Sequence, residues 1–456
     1  MNQTVILLTA VLLAPLAHAV ELNVERYGAV GDGTTLCTAA IQKTIDTAAA
    51  GGGTVIVPKG VYLTGSLFLK SGVDLRIDEG AEIRGVQDDA AYPEMWTRIA
   101  GIEITWPAAL INVCEQSRVR IYGKGVIDGQ GSFWWHKFWG DDHKSGMLGE
   151  YEKKGLRWAV DYDCQRPRLI QVYKSSDVSV EGLTLKRSGF WTVHVCFSNK
   201  VTVDGLVIRN NIGGHGPSSD GIDVDSSRDV LVENCDIDCN DDSLCIKAGR
   251  DADGLRVNRP SENIVMRDCI IRGGQSLFTI GSETSGGVRN VEVYRIKAVA
   301  DTGAGIRLKS TRTRGGTIEN INIHDIEMEG VSRPIEIDLN WFPSYSNTTL
   351  PADATGVPAY WKVLTEPVPP EKGMPHFRDI RITDLTAHNA AQAFIVAGYS
   401  EAPLEGFHLE NVKIDAREPG TIKHAKSWTF KNVRIISPDK KRLLLEDCRD
   451  MTGDVP

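Results

Sequence analysis

The sequence predicts an all-β fold, namely a single-stranded, right-handed parallel β-helix with one capping helix near its N-terminal end. Two observations support this prediction. A short strand-like motif recurs along the chain, and helical periodicity is strong in only one segment. The first apolar residues of eight copies of the motif are Val178, Val201, Val230, Ile264, Val291, Ile321, Ile380 and Phe407.

Each copy alternates apolar and polar residues, as Val178-Ser179-Val180-Glu181 does, which is typical of a strand. Neighbouring copies are 23 to 34 residues apart, except for one spacing of 59, which indicates a skipped repeat or a long loop. A unit of this length cannot bury its own apolar face, so the units must stack as coils. A β-propeller would need about four strands per 40–45 residues, and these copies are too short for that. Asn or Asp before several strands suits a left-handed bend between short strands.

Three segments depart from the repeat. Residues Thr38–Ala49 carry apolar residues at helical spacing and are followed by Gly51-Gly52-Gly53, which predicts a helix that covers the first coil. Residues 90–162 and 340–376 interrupt the motif. Long insertions in a solenoid tend to line its binding face. We therefore expect one β-helix domain over residues 20–456, with these two insertions beside the functional site.

Residues 1–19 are predicted to be a signal peptide. Val5–Leu13 is a short apolar run, and Ala17-His18-Ala19 offers a cleavage site. No Lys or Arg precedes the run, and the alternative is a buried N-terminal strand. The signal peptide predicts a secreted or periplasmic protein. No later stretch reaches the roughly 18 apolar residues that a membrane span needs, so no membrane association is expected.

The composition narrows the class of partner. The formal charge is −9, from 51 Lys and Arg against 60 Asp and Glu, and no basic run suggests nucleic-acid binding. We expect a monomer.

The nine Cys residues show no zinc spacing. Cys235 and Cys269 occupy equivalent repeat positions, which predicts stacked buried thiols at least as readily as a disulfide.

Three acids between Ser218 and Arg250 are the strongest functional signal. Asp220 and Asp242 are 22 residues apart, close to one repeat, so they would lie on neighbouring coils about 4.8 Å apart. Asp241 and Asp242 would point to opposite faces of a regular strand, and they share one site only if the backbone turns there. Such a cluster is costly unless it performs acid–base chemistry or holds a metal.

Groups that complement these acids follow on later coils. Arg307 and Lys309 are two residues apart, share a strand face, and suit the carboxylate of an acidic sugar. Gln275, on the coil between, is a candidate hydrogen-bonding group for the same ligand. Trp341, Phe342 and Tyr345 begin the second insertion. They are equally consistent with sugar-stacking platforms and with packing of the insertion.

Five motifs in order resemble the polygalacturonases, glycoside hydrolase family 28, whose fold is the pectin-lyase-like parallel β-helix. The motifs are Gly123-Lys124-Gly125-Val126-Ile127-Asp128-Gly129, Ser219-Asp220-Gly221, Asn240-Asp241-Asp242-Ser243, Ile280-Gly281-Ser282-Glu283 and Arg307-Leu308-Lys309. Each motif alone is weak, and the ordered series is specific. The resemblance also covers Tyr27 to Gly33 and extends to about Ile321.

The resemblance implies an inverting hydrolase that needs no cofactor or metal. Asp241 would be the general acid, and Asp220 with Asp242 would activate water as the general base, at the roughly 6.5–9.5 Å separation of inverting enzymes. Arg307 and Lys309 would hold a galacturonate carboxylate. Glu283 and Trp341 are further expected substrate contacts.

Two departures from the family pattern modify this expectation. Ser218-Ser219-Asp220-Gly221 stands where Asn-Thr-Asp-Gly is usual, and Gln275 replaces the histidine of a Gly-His-Gly motif. This divergence favours an enzyme directed to rhamnogalacturonan fragments or to oligogalacturonide ends. His215, five residues before Asp220, is either a substitute for that histidine or a loop residue.

Two other functions stay open at this point. A polysaccharide lyase on the same fold would hold calcium with its acids and use Arg or Lys as a base. A non-catalytic carbohydrate-binding β-helix would need no chemistry at all, and the missing histidine is consistent with it.

Overall fold

The computed structural model describes residues 20–299, 302–438 and 440–456. The predicted signal peptide lies outside these residues. The described chain winds into a parallel β-helix, in which 32 strands form one continuous hydrogen-bonded system. The strands β1 to β34 are, in order, Val20–Asn23, Asp32–Leu36, Gly53–Val57, Gly60–Thr64, Leu67–Phe68, Val73–Ile77, Ala81–Gly85, Glu94–Ile99, Ile102–Pro107, Ile111–Cys114, Ser117–Gly123, Val126–Asp128, Ile170–Tyr173, Ser176–Glu181, Thr184–Lys186, Val193–Cys196, Asn199–Asp204, Val207–Arg209, Ile222–Asp225, Arg228–Glu233, Asp236–Asp238, Asp242–Lys247, Ser261–Arg267, Ile270–Ile280, Val288–Ala298, Thr302–Lys309, Thr317–Glu329, Arg333–Asp338, His376–Ala397, Leu404–Lys423, Ala425–Lys426, Thr429–Ile436, Leu444–Glu446 and Thr452–Gly453.

The helices are short and lie outside the coils. The helices α1 to α8 are Thr38–Ala49, Ser132–Trp139, Met147–Lys153, Arg157–Asp163, Asp251–Val257, Pro343–Ser346, Ala359–Leu364 and Pro370–Gly373. Helix α1 has the predicted bounds, and its buried residues Ile41 and Ile45 join the main core over the first coil. The prediction of an N-terminal cap is confirmed.

The stacking register confirms the repeat assignment. Val178 pairs with Val201, and this column continues through Val230 and Ile264. Further along, Ile321 pairs directly with Ile380. The spacing of 59 residues is therefore one long loop and not a skipped repeat.

The bend at the start of each repeat motif has the expected backbone conformation. The seven non-glycine residues directly before the first apolar residue of a motif have φ between 52° and 56°. They are Asp177, Lys200, Asp229, Asn263, Asn290, Asn320 and Asp379. Asn320 donates to Asn290 at 2.7 Å, and Asn290 donates to Asn263 at 3.1 Å, so amides also stack between coils. Asn and Asp tolerate this left-handed conformation because their side chains bond locally.

One of the stacked sheets positions the candidate site. It consists of β5, β10, β13, β16, β19, β22, β24, β26 and β28, and we call it the front sheet. Its inward residues, such as Ile222, Leu244 and Ile306, are fully buried. A row of polar residues lies on its outer face. The row consists of His194, Asp223, Cys245, Thr279, Arg307 and Glu336.

The predicted interruption over residues 90–162 needs correction. Strands β10, β11 and β12 form an ordinary coil between β5–β7 and β13–β15. The coil was missed because its strands are short and lie between two polar, Trp-rich segments. The first insertion is therefore two pieces, the antiparallel hairpin β8–β9 and the segment with α2–α4. The second, with α6–α8, falls within the predicted 340–376.

Two further expectations concern cysteines and membranes. Cys235 and Cys269 are buried free thiols, and the Cys235 backbone N–H contacts the Cys269 sulfur at 3.4 Å, as expected for stacked thiols. No helix among the described residues has both the length and the apolar character required to cross a bilayer.

Candidate active site

A cavity of about 560 Å³ opens on the outer face of the front sheet. Asp220, Asp241 and Asp242 all line it. Because Ile222 pairs with Leu244, Asp220 and Asp242 lie on neighbouring coils. One carboxylate oxygen of each lies within 4.8 Å of the other. The structure therefore brings the three acids together at one cavity.

The local backbone explains this convergence. Asp241 lies in a bend immediately before β22, which begins at Asp242, so the two neighbours do not alternate as they would within a strand. The Asp241 side chain accepts a hydrogen bond from the Asp242 N–H at 3.0 Å. On the previous coil, a Cβ at Gly221 would lie 2.4 Å from the Ser243 carbonyl oxygen. Glycine therefore allows the coils to approach at the acids.

Asp242 is the most completely paired of the three acids. Its Oδ2 accepts from Lys309 Nζ at 2.7 Å, and its Oδ1 accepts from Ser276 at 2.7 Å and from Thr279 at 3.0 Å. Arg307 Nη1 lies 3.4 Å from Oδ1. Burial raises the pKa of Asp242, but the charges of Lys309 and Arg307 outweigh burial and hold the pKa below its usual range. Asp242 is therefore ionised.

Asp241 and Asp220 have the opposite tendency. Burial and the charge of Asp242 raise the pKa of Asp241. Burial, followed by the charges of Asp223 and Asp241, raises the pKa of Asp220 well above its usual range. Carboxyls whose environments push their pKa values apart are suited to separate acid and base roles. The cavity thus combines one carboxyl whose pKa is lowered with two carboxyls whose pKa values are raised.

Lys247 lies between several acids and was not predicted. Its Nζ is 3.4 Å from Asp220, 3.5 Å from Asp223 and 3.7 Å from Glu283. It also lies 4.8 Å from the centre of the Trp191 ring. Because three carboxylates share one cation, Lys247 neutralises none of them completely.

Asp223 lies behind these groups and is fully buried. Neither of its carboxylate oxygens has a hydrogen-bond partner among the described residues. Burial raises the pKa of Asp223 to about 7, with Lys247 opposing the rise and Asp242 and Asp241 supporting it. The unfolded value is about 3.9. The stability that this proton provides is therefore complete below about pH 4 and is lost as the pH rises through 7.

We expect Asp223→Asn to flatten the pH dependence of stability between about pH 4 and 7, because Asn resembles the protonated acid. The difference amounts to roughly a few kcal/mol of unfolding free energy. Urea unfolding from pH 4 to 8 measures it. Asp229→Asn, at a side chain that is 46% exposed, is the matched control. An Asp223→Asn curve parallel to that of the wild type would contradict the buried-proton assignment.

Arg307 and Lys309 share the outer face of β26, as predicted, and both line the cavity. Their charges are already partly balanced, because Arg307 Nε donates to Glu336 at 2.8 Å and Lys309 contacts Asp242. Trp341 also lines the cavity. Its ring centre lies 5.2 Å from the Arg307 guanidinium and 4.8 Å from Lys309 Nζ. Trp341 thus packs on the cations as well as facing the cavity.

Gln275 and Glu283 also line the cavity. Gln275 is exposed at its rim, where a ligand can reach it. Glu283 is buried and accepts from Ser282 at 3.0 Å and from Tyr345 at 3.2 Å. Burial raises the pKa of Glu283, but Lys247 and two arginines outweigh it and lower the pKa. Their roles as substrate contacts stay predictions.

His215 is not brought to the acids. It is exposed, does not line the cavity, and its ring lies 3.3 Å from the Asn211 side-chain oxygen. Its backbone carbonyl accepts from Trp139 at 2.8 Å, which holds the loop against the first insertion. This geometry does not support the suggestion that His215 substitutes for the missing histidine. Ser276 and Thr279 contact Asp242 instead.

The two insertions meet beside the cavity. Trp158 of the first and Trp361 of the second have ring centres 5.0 Å apart. Trp361 and Tyr360 also donate to Asp163, at 2.9 Å and 2.6 Å. Arg157 from α4 lies 5.2 Å from the centre of the Phe342 ring. The packed insertions therefore form one wall of the cavity, through Arg157, Phe342 and Tyr345, and we call it the insertion wall.

The donor sets do not favour a calcium ion. Within the described ranges, two buried groups have ligand atoms within 4.8 Å of one another, Asp220 with Asp242 and Cys245, and His194 with Cys196 and Asp225. Both include a thiol, whereas calcium takes oxygen ligands. Cationic side chains already lie beside each group: Lys309 at Asp242, and Arg98 at Asp225. These cations oppose a further positive charge.

Several residues of the site were missed by sequence reasoning. Lys247, Asp223, Ser276 and Thr279 belong to the site, as does Arg157 in the first insertion. Strand alternation could have placed Asp223 and Lys247 on the outer face, because they alternate with the inward residues Val224 and Ile246. Arg157 carries no signal of this kind, because only the packing of an insertion places it.

Comparisons with known proteins agree with this geometry. The sequence profile described as "Glycosyl hydrolases family 28" matches residues 50–439, and one described as "Rhamnogalacturonase A/epimerase, pectate lyase-like" matches residues 22–76. A "Probable polygalacturonase" of Vitis vinifera is 28% identical over 409 residues, which cover 87% of this chain and 74% of that protein. The "Exo-poly-alpha-D-galacturonosidase" of Dickeya chrysanthemi is 25% identical over 443 residues, which cover 90% and 70%.

A solved structure extends the likeness to three dimensions. The hyperthermoactive exopolygalacturonase from Thermotoga maritima matches with a TM-score of 0.74 and 28% identity, and the match covers 94% of this chain and 92% of that one. The family profile spans both the coils and the cavity acids. The chain therefore belongs to glycosyl hydrolases family 28 and is a glycoside hydrolase.

Proposed function

We propose that this protein is an exported, inverting hydrolase that removes units from the ends of galacturonic-acid-containing pectic chains. One observation carries the proposal: Asp241, whose pKa is raised, and Asp242, whose pKa is lowered, line a single cavity. An inverting glycosidase needs one protonated carboxyl and one carboxylate on opposite sides of the scissile bond.

The steps of the reaction are assigned to the following residues. Asp241 donates its proton to the glycosidic oxygen as the bond to the anomeric carbon breaks. A water molecule attacks that carbon from the other side, and Asp242 accepts its proton, with Asp220 beside it on the neighbouring coil. Lys309, Ser276 and Thr279 keep Asp242 oriented and charged until it takes that proton. Because water attacks opposite the leaving group, the product has the inverted anomeric configuration.

The lining of the cavity supports an acidic sugar as substrate. Arg157, Lys247, Arg307, Lys309 and Arg333 all contribute to it, which suits a carboxylate-bearing ligand. The relatives in Dickeya chrysanthemi and Thermotoga maritima are named for galacturonate polymers. Gln275 at the rim is a candidate for discriminating rhamnogalacturonan fragments from plain galacturonides.

Action at chain ends is supported by the wall between the insertions. A long polymer that is cut internally must pass through a groove open at both ends. Here Arg157 contacts the rings of both Phe342 and Tyr345, so the insertions meet over the cavity. Export is supported by the apolar run Val5–Leu13 and the Ala17-His18-Ala19 site in the sequence.

Product analysis by mass spectrometry tests the proposal. The purified mature protein is incubated with polygalacturonan, rhamnogalacturonan oligosaccharides and oligogalacturonides, with and without a calcium chelator. We expect saturated products of one short size from the first time point, each heavier by one water, and no effect of the chelator. Proton NMR of the first product should show the inverted anomer.

Other outcomes identify the alternatives. A ladder of product sizes would indicate internal cutting. Unsaturated, ultraviolet-absorbing products that disappear with the chelator would indicate a lyase. Binding of an oligosaccharide without any product would indicate a carbohydrate-binding protein and overturn the catalytic roles of the acids.

A further inference from the structure

We propose that Arg157 binds the carboxylate of the sugar unit at the walled end of the cavity, and so makes this site select acidic terminal units. The inference rests on the proposed function and adds a specificity-determining residue to it. Arg157 is the first residue of α4 and lines the same cavity as the Arg307–Lys309 pair of the front sheet.

The first argument concerns charge. Arg157 Nη1 donates to Asp161 Oδ2 at 2.6 Å, and the fully buried Arg166 lies 3.4 Å from Asp161 Oδ1. One carboxylate therefore serves two guanidinium groups. Arg166 has no exposure and Arg157 has 17% side-chain exposure, so the excess positive charge faces the cavity through Arg157.

The second argument concerns hydrogen-bonding capacity. Among the described residues, Arg157 uses only Nη1 in a hydrogen bond, and that bond goes to Asp161. Nε and Nη2 keep their donors for a ligand. A guanidinium presents its donors in a planar fork that matches a carboxylate, and charge-assisted bonds of this kind are the stronger ones.

The third argument concerns orientation. The Arg157 guanidinium lies 5.2 Å from the centre of the Phe342 ring and 5.5 Å from that of Tyr345. The two rings are nearly parallel, with 20° between their planes. Guanidinium groups are attracted to the faces of aromatic rings, so this contact reduces the freedom of the side chain. Arg157 is held in place before a ligand arrives.

Three of the other cavity cations are more fully engaged. Lys309 contacts Asp242 at 2.7 Å and Arg307 contacts Glu336 at 2.8 Å, while Lys247 is shared by three carboxylates. Arg333, on the front sheet, is also incompletely paired, since it lies 3.6 Å from Glu336, which Arg307 shares. Arg157 is the incompletely paired cation on the insertion wall, where the terminal unit of a chain would lie.

The test compares trigalacturonate with analogues methyl-esterified at one terminal unit or the other. Esterification removes one carboxylate charge without altering the chain length. We expect the wild type to lose roughly 10- to 100-fold in kcat/KM when the unit at the walled end is esterified. Arg157→Gln should cleave the free acid and that ester equally well, with the change mainly in KM, while it stays sensitive to esterification of the other unit.

Two further variants serve as controls for this test. Arg157→Lys keeps the charge without the fork and should show intermediate discrimination, even if Arg157→Gln is poorly folded. Arg228→Gln makes the same change at a side chain that is 59% exposed and does not line the cavity, and it should behave as the wild type. Full discrimination in both Arg157 variants would overturn the inference.

Failure of the proposed function can be distinguished from failure of this inference. Calorimetric binding of the same oligosaccharides to Asp241→Asn, with and without Arg157→Gln, requires no turnover. If binding depends on Arg157 and on the terminal carboxylate but the wild type cleaves none of the substrates, this binding site is supported and the hydrolase is rejected. If the wild type cleaves the substrates and Arg157 affects neither binding nor discrimination, the hydrolase is supported and this binding site is rejected.

Discussion

Asp241→Asn should reduce kcat by about 10²- to 10⁴-fold, the usual contribution of a general acid, with little loss of stability. Asn cannot donate the proton that the glycosidic oxygen needs. In the folded protein burial and Asp242 raise the pKa of Asp241, so its ionised form is disfavoured there. Removing the titrating group relieves this repulsion at neutral pH. The melting temperature should therefore stay the same or rise slightly.

Steady-state kinetics on an oligogalacturonide and thermal unfolding provide the two readouts. Asp229→Asn is a suitable control because the same chemical change occurs at an exposed bend, and Asn already occupies the equivalent position at residues 263 and 290. That control should keep full activity. Unchanged turnover in Asp241→Asn would exclude catalysis by this acid. A fall in activity that is accompanied by a large fall in melting temperature would instead indicate a structural role.

Lys309→Met should destabilise the fold as well as inactivate the enzyme. Removing one partner of a buried ion pair leaves the other charge uncompensated, at a cost of about 3–5 kcal/mol of unfolding free energy. We expect roughly the lower end of that range, because Arg307 stays 3.4 Å from Asp242. The pKa of Asp242 should rise, and kcat should fall by about 100-fold, as for the loss of an oriented charged donor.

This expectation differs from the one that the sequence alone suggests. On a strand beside other cations, Lys309 looks like a substrate-binding residue whose loss raises KM. The contact of 2.7 Å instead pairs Lys309 with Asp242, the proposed general base. A higher KM with unchanged kcat and stability would favour the original interpretation.

The pH dependence gives this prediction a definite sign. Because the folded pKa of Asp242 is lowered, the stabilisation by the pair is present above the unfolded value of about 3.9 and is lost as the pH falls through the folded pKa. The stability difference between wild type and Lys309→Met should be largest near neutral pH and shrink below about pH 4.

Two further variants separate the pair from its surroundings. Adding Asp242→Asn to Lys309→Met should restore most of the lost stability but none of the activity, because no unpaired charge remains. Lys297→Met removes an exposed lysine paired with Glu327 at 2.6 Å. Exposed pairs contribute about 0–1 kcal/mol, so this control should unfold like the wild type.

The repeat architecture could be predicted because most coils carry a local sequence pattern. Alternation from Val178 onward and the bend residues before each strand depend on neighbours in sequence, and the structure confirms both. The capping helix Thr38–Ala49 was equally local. The coil β10–β12 was missed because its short strands are recognisable only by the coils that they pair with.

The sequence by itself determined the solenoid and the stacking of Asp220 on Asp242, because residues one repeat apart lie on neighbouring coils. That Asp241 joins them was decided by the bend before β22. The tertiary structure decided which of these acids is ionised and what closes the cavity. Protonation depends on burial and on charges such as Lys309 and Lys247, which belong to different strands. The wall depends on Arg157 and Phe342, which are far apart in sequence and come together only when both insertions pack against the same sheet.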